Sequence, residues 1–115
     1  MSVTLNRKAL DHARGLVEKS RFVRDARDDW SEHAPSASDE NAYIDAHGWD
    51  DYALWHLGEH PEADPETKQR YSFPYGDFRR VHRCAVISLE SRAAQNDHDD
   101  ITRASKKLLS QIDED

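Results

Sequence analysis

Cysteine, glycine and large aliphatic side chains are all scarce in this 115-residue sequence, and each shortage excludes something. The single Cys84 can make neither an internal disulfide nor a cysteine-rich zinc site, so neither staple is expected to support a weak core. The four glycines stand isolated at positions 15, 48, 58 and 76, which rules out a glycine-rich phosphate loop. Leu, Ile, Val and Phe together number 20, below the roughly one-fifth at which a highly charged chain borders on disorder, and the mean hydropathy of −0.99 agrees. No apolar run approaches the roughly 18 residues of a membrane span, and MSVTLNRKALDHARG lacks the continuous apolar stretch of a signal peptide. The expectation is a small, thinly cored cytoplasmic protein, one domain over 1–115, without membrane association. Three Trp, four Tyr and thirteen Ala argue for folding rather than a purely solvating chain.

Positive charge is missing from the middle of the chain. Residues 28–64 hold eleven acids and no Lys or Arg, whereas residues 1–27 carry seven bases against three acids and residues 65–95 six against three. The formal net charge is −7. A long base-free acidic stretch repels polyanions, so nucleic acid is an unlikely partner by charge, and the acidic middle is expected to fold against the two basic segments.

Periodicity predicts an all-α fold, a small helical bundle with short central helices and a C-terminal antiparallel helix pair. Thr4 or Asn6 opens a first helix reaching about Ser20, with Leu5, Ala9, Ala13, Leu16 and Val17 on one face. Residues 21–35 mix charges and breakers and read as a partly ordered connection before a core helical region over 36–113. Ser36 or Ser38 starts a short helix stopped by Gly48, and a further turn or two from Trp49 ends at Gly58. Asp64-Pro65-Glu66 reads as a helix start. Pro74 and Gly76 make a corner, with Gly76 a candidate for positive φ, and Asp77 caps a helix over 78–95. A last helix over 97–112 places Ile101, Ala104, Leu108 and Ile112 on one stripe. No segment shows strand alternation.

Few residues suggest chemistry. His56-Leu57-Gly58-Glu59-His60 matches the H-x-x-E-H pattern of inverted zinc peptidases, but Gly58 between the histidines and Pro61 after them break the helical face that such a site needs. His56, His60 and His98 are weak metal candidates. Asp97-His98-Asp99-Asp100 reads first as an acidic helix start. Cys84 reads as a half-buried core residue, because a helix puts His82 on a different azimuth. No motif demands a cofactor, so none is expected, and no residue is assigned a catalytic role.

The segment from Tyr71 to Gln95 is the most informative. On a helix, Arg79, Arg80 and Arg83 point outward with Ile87 beside Arg80, a candidate binding patch. Arg92 falls near the apolar face and is expected to be a structural tie to the acids of 28–64. The stretches Asn41 to Ile44, His47 to Trp49, Tyr52, Trp55, Leu57-Gly58, Glu66 to Lys68, Arg70-Tyr71, Phe73 to Phe78, Val81 to Arg83 and Arg92 to Gln95 together resemble a family of short bacterial proteins. The resemblance spans about residues 36–112; it implies domain limits and brings no activity, cofactor or partner. The leading functional expectation is a non-enzymatic interaction module, binding a protein partner or its own copy. The alternative is a small metal protein or enzyme in which folding gathers His56, His60, His82, Asp97 and His98.

Overall fold

A computed structural model describes residues 3–26 and 29–114, and it overturns the all-α expectation. Among those residues the order is β1 (Thr4–Leu5), α1 (Arg7–Glu18), β2 (Phe22–Val23), α2 (Trp30–His33), α3 (Ala37–Ala53), β3 (His56–Glu59), β4 (Tyr71–Pro74), β5 (Val81–His82), α4 (Arg83–Gln95) and α5 (Asp99–Glu114). The fold is mixed α/β.

The two most amphipathic helices form where their patterns place them. Asn6 caps α1 by accepting the Ala9 N–H, and Ala9, Ala13, Leu16 and Val17 are buried. In α5 the stripe Ile101, Ala104, Leu108 and Ile112 is buried as its spacing dictates. α4 folds back on α5 through a turn in which Asp97 takes φ +60°, and an Arg83–Asp113 ion pair at 2.8 Å ties their far ends. α1, α4 and α5 share one core with the strand residues Leu57, Phe73 and Val81 and with Tyr75, just past β4.

α4 begins at Arg83 rather than Phe78. Phe78 sits at φ +69°, which no helix accommodates, and Val81 and His82 are drawn into parallel pairing with Phe22 and Val23. Arg92, expected to be tied to the acidic middle, is exposed in the last turn of α4 and makes no ion pair among the described residues. A cation there is favoured by the helix C-terminal carbonyls alone.

The second sheet has the order β1-β3-β4, antiparallel throughout, with Leu5 opposite Gly58 and Gly58 opposite Ser72. β3 gives no alternation because His56, Leu57 and Gly58 are all buried, covered on both faces. Gly58 is therefore not a helix stop. A Cβ there would lie 2.6 Å from both Phe73 Cδ2 and Ser72 Oγ. The Asp64-Pro65-Glu66 segment is likewise a turn, with Asp64 Oδ1 accepting the Glu66 N–H, and only one 3-10 turn, Lys68–Arg70, follows. Arg70 clamps that β3–β4 connection by donating to Glu59, Pro61 and Ala63.

Of the two starts the sequence offers for α3, Ser36 is the one used, and it forms a reciprocal capping box with Asp39. Gly48, at φ 85° and ψ 172°, leaves the helical region and breaks α3 there into two helical segments, the stop that the sequence predicts. That backbone region is open essentially to glycine alone. Gly48→Ala is expected to destabilise the protein by about 1–3 kcal/mol. Gly15→Ala, inside α1 with nothing within 4 Å of the added methyl, should stabilise it by up to about 1 kcal/mol. Urea midpoints of the two variants moving in opposite directions check both statements.

Candidate functional site

The Phe73–Arg80 corner carries the strain of the fold. Phe73 and Phe78 both take positive φ, a costly conformation for bulky residues. Phe78 is held there by stacking on Tyr43, with centroids 4.3 Å apart and planes 11° from parallel. Pro74 closes β4. Gly76 is needed for close approach rather than for positive φ, since a Cβ would lie 2.3 Å from the Arg80 carbonyl oxygen and 2.8 Å from Trp55. Beneath the corner, fully buried Tyr75 donates its hydroxyl proton to the Leu54 carbonyl at 2.6 Å and lies 2.9 Å from His12 Nδ1.

Asp77 caps this turn and not a helix. Its Oδ1 accepts the N–H groups of Arg79 and Arg80 at 3.0 and 2.9 Å, while its Oδ2 lies 2.9 Å from His82 Nε2. On the other side of the ring, His82 Nδ1 lies 2.7 Å from Asp25 Oδ2. The β2–β5 pairing makes this possible, because it puts Val23 opposite His82 and so brings Asp25, two residues on, against the ring. Asp25 Oδ1 accepts the Cys84 N–H at 2.9 Å. The cap of α4 thus comes from a residue 59 positions away.

The junction is well enclosed, with the His82 and Asp25 side chains 4% and 6% exposed. His33 from α2 stacks on His82 at 5.1 Å and brings its Nε2 to 3.9 Å from Asp25 Oδ2. Burial alone would lower the pKa of His82, but the bonds to Asp25 and Asp77 outweigh it and hold the imidazolium. Both carboxyls are lowered, because their hydrogen bonds more than offset the burial that opposes ionisation. Cys84 is fully buried rather than half-buried, and burial beside the Asp25 carboxylate pushes its thiol up to about 12. A protonated thiol next to a histidine with both nitrogens engaged is not a nucleophile–base pair.

The metal candidates proposed from sequence are not brought together. His56 opens β3 and His60 follows its last residue, roughly 13 Å apart along an extended chain at 3.3 Å per residue, with Glu59 on the opposite face. His56 is buried with Nδ1 2.9 Å from the Tyr52 carbonyl oxygen, and His98 packs edge-on against Phe73 in the α4–α5 turn. The described cluster with metal-ligand chemistry is instead Asp25, His82 and Cys84. Of the expected arginine patch, Arg83 is spent on Asp113, Ile87 is half-buried on α4, and Arg79 and Arg80 stand exposed on the loop. Beside them a cleft of about 760 Å³ runs between α2, α3 and the loop, lined by His33, Tyr43, His47, Asp77, Phe78 and Arg79 among others.

Sequence reasoning missed Asp25 and His33 because both lie in the stretch read as a partly ordered connection. The available signal was Phe22-Val23, a short β-prone pair followed by an acid. Comparison with protein-family models, curated proteins and solved structures finds no match for this chain.

Proposed function

We propose that the protein is a non-enzymatic interaction module that uses Arg79 and Arg80 to bind an acidic protein surface, with α3 of a second copy as the first surface to test. The observation that carries this reading is the state of those two side chains. Both are exposed, neither makes an ion pair among the described residues, and the loop beneath them is pinned by two hydrogen bonds to Asp77. A guanidinium presented on a fixed backbone loses little entropy on binding. Phe78 and Tyr43 in the adjoining cleft add aromatic area of the kind that interfaces favour. α3 exposes Asp39, Asp45 and Asp50 and carries no Lys or Arg, so one copy presents both halves of a complementary contact. No described helix is long and apolar enough to cross a membrane.

Reversing both charges, Arg79→Glu with Arg80→Glu, should weaken association at least about tenfold, since juxtaposing like charges costs several kcal/mol. The effect should fade above roughly 0.15 M salt, where screening acts within about 8 Å. Sedimentation velocity at low and high salt reads the self-association, and cross-linking in cell extract reads other partners. A monomer at every concentration, together with full retention of cellular partners by the double variant, would sink the reading.

A further inference from the structure

We propose that Asp25, His82, Cys84 and His33 form a zinc-binding site in which Asp77 orients the His82 ring. Ligand atoms of Asp25, His82 and Cys84 lie within 4.8 Å of one another, and His33 Nε2 is 3.9 Å from Asp25 Oδ2. In a tetrahedral site with metal–ligand bonds of about 2.0–2.3 Å, donor atoms sit roughly 3.3–3.8 Å apart. Drawing Asp25, His82 and Cys84 onto one ion therefore needs side-chain movements of about an ångström, and His33, whose ring stacks on His82, joins them by turning about its own side-chain torsions.

The donors are one thiol, two imidazoles and one carboxylate. That mixed, partly soft set suits zinc and not magnesium or calcium, which take oxygen donors. The orientation of His82 is equally specific. Its Nδ1 faces the cluster while its Nε2 lies 2.9 Å from the Asp77 carboxylate. A zinc-ligating histidine characteristically donates its other ring N–H to such a group, which fixes both tautomer and ring plane.

Metal-bound histidine and cysteine are deprotonated at the ligating atom, so zinc binding at His82 Nδ1 and Cys84 Sγ releases whatever protons those atoms carry, while Asp77 keeps its contact to Nε2. His33, 42% exposed, marks the solvent side from which an ion would enter. Two ligands come from the segment after β2 and from α2, and two from the β5–α4 join. Zinc would therefore clip together segments about fifty to sixty residues apart, coupling metal affinity to folding.

Cobalt(II) reports such a site directly. Titrating the metal-stripped full chain should give, at one equivalent, a thiolate-to-cobalt charge-transfer absorption with the intense visible bands of four-coordinate cobalt. One equivalent of zinc should abolish these and raise the melting temperature. Cys84→Ser should remove the charge-transfer band, and Asp77→Asn should weaken cobalt binding roughly 10- to 100-fold. His33→Ala, at an exposed position that should leave the fold intact, should weaken binding and change the visible bands as a ligand is lost. No charge-transfer band in the folded wild-type protein overturns the proposal, as does cobalt binding equal in wild type and Cys84→Ser. If the Cys84 variant does not fold, unchanged affinity and visible bands in His33→Ala overturn the four-ligand site.

Discussion

Gly76→Ala is expected to cost about 3 kcal/mol or more, a large share of the 5–15 kcal/mol that holds a typical small domain together. The added methyl would lie 2.3 Å from the carbonyl oxygen of Arg80, and that oxygen has nowhere to go, because it accepts the Asp77 N–H and belongs to the bridge between Gly76 and Val81. Moving it disturbs the two turn bonds of Asp77, and through Asp77 the contact to His82. The other side is closed by Trp55, 2.8 Å from the methyl, which is stacked on Tyr75 and donates its indole N–H to the Tyr43 hydroxyl. A flexible side chain would yield at small cost; a bonded backbone carbonyl and a wedged indole do not. Urea denaturation checks the figure, and a free energy within 0.5 kcal/mol of wild type, the range of ordinary surface substitutions, would show that the corner can relax.

The same corner shows where the sequence could be read and where it could not. Asp77 was recognisable as a cap and Gly76 as a constrained position, but what they constrain is a strained turn and not a helix start. The reason is non-local: the helix over 78–95 is locally reasonable, and it loses to the pairing of Val81-His82 with Phe22-Val23, some sixty residues earlier. α1 and α5 were legible because each buries one stripe against its neighbours, so helical periodicity survives in the sequence. The three-stranded sheet was not, because β1 has two residues and β3 is buried on both faces, leaving no alternation to detect. The site follows the same rule. His82 and Cys84 were noticed as chemistry-bearing residues, yet the group that organises them, Asp25, is supplied by a parallel strand pair too short to announce itself. Arg83 shows the converse: read outward from a helical wheel, it is claimed by Asp113 at the far end of α5, a partner that only the antiparallel packing of the two helices brings near.

Acid stability should report the burial of His56. The ring is 3% exposed in β3, with Nδ1–H donating to the Tyr52 carbonyl, and it packs against the rings of Tyr52 and Tyr71. Burial disfavours the imidazolium more than the Tyr52 carbonyl and the Glu40 charge restore it, so the pKa falls from 6.5 to about 4. Between those values the unfolded chain takes up a proton that the folded one refuses. The contribution of His56 is therefore complete above pH 6.5 and is lost as pH falls toward 4, with a full size of about 3 kcal/mol at 1.36 kcal/mol per unit. His12, whose pKa is also lowered chiefly by burial, tilts stability in the same direction. Asp25 and Asp77, with pKa values below 3.8, act below this window, and the raised pKa of His82 places its loss of stability on the neutral-to-alkaline side. His56→Asn keeps an N–H donor for the Tyr52 carbonyl while removing the titration. Urea denaturation free energies measured from pH 7.5 down to pH 4 should fall steeply in the wild-type protein and much less in this variant. Parallel profiles in the two proteins would mean that His56 is protonated in the folded state, and that the acid sensitivity lies elsewhere.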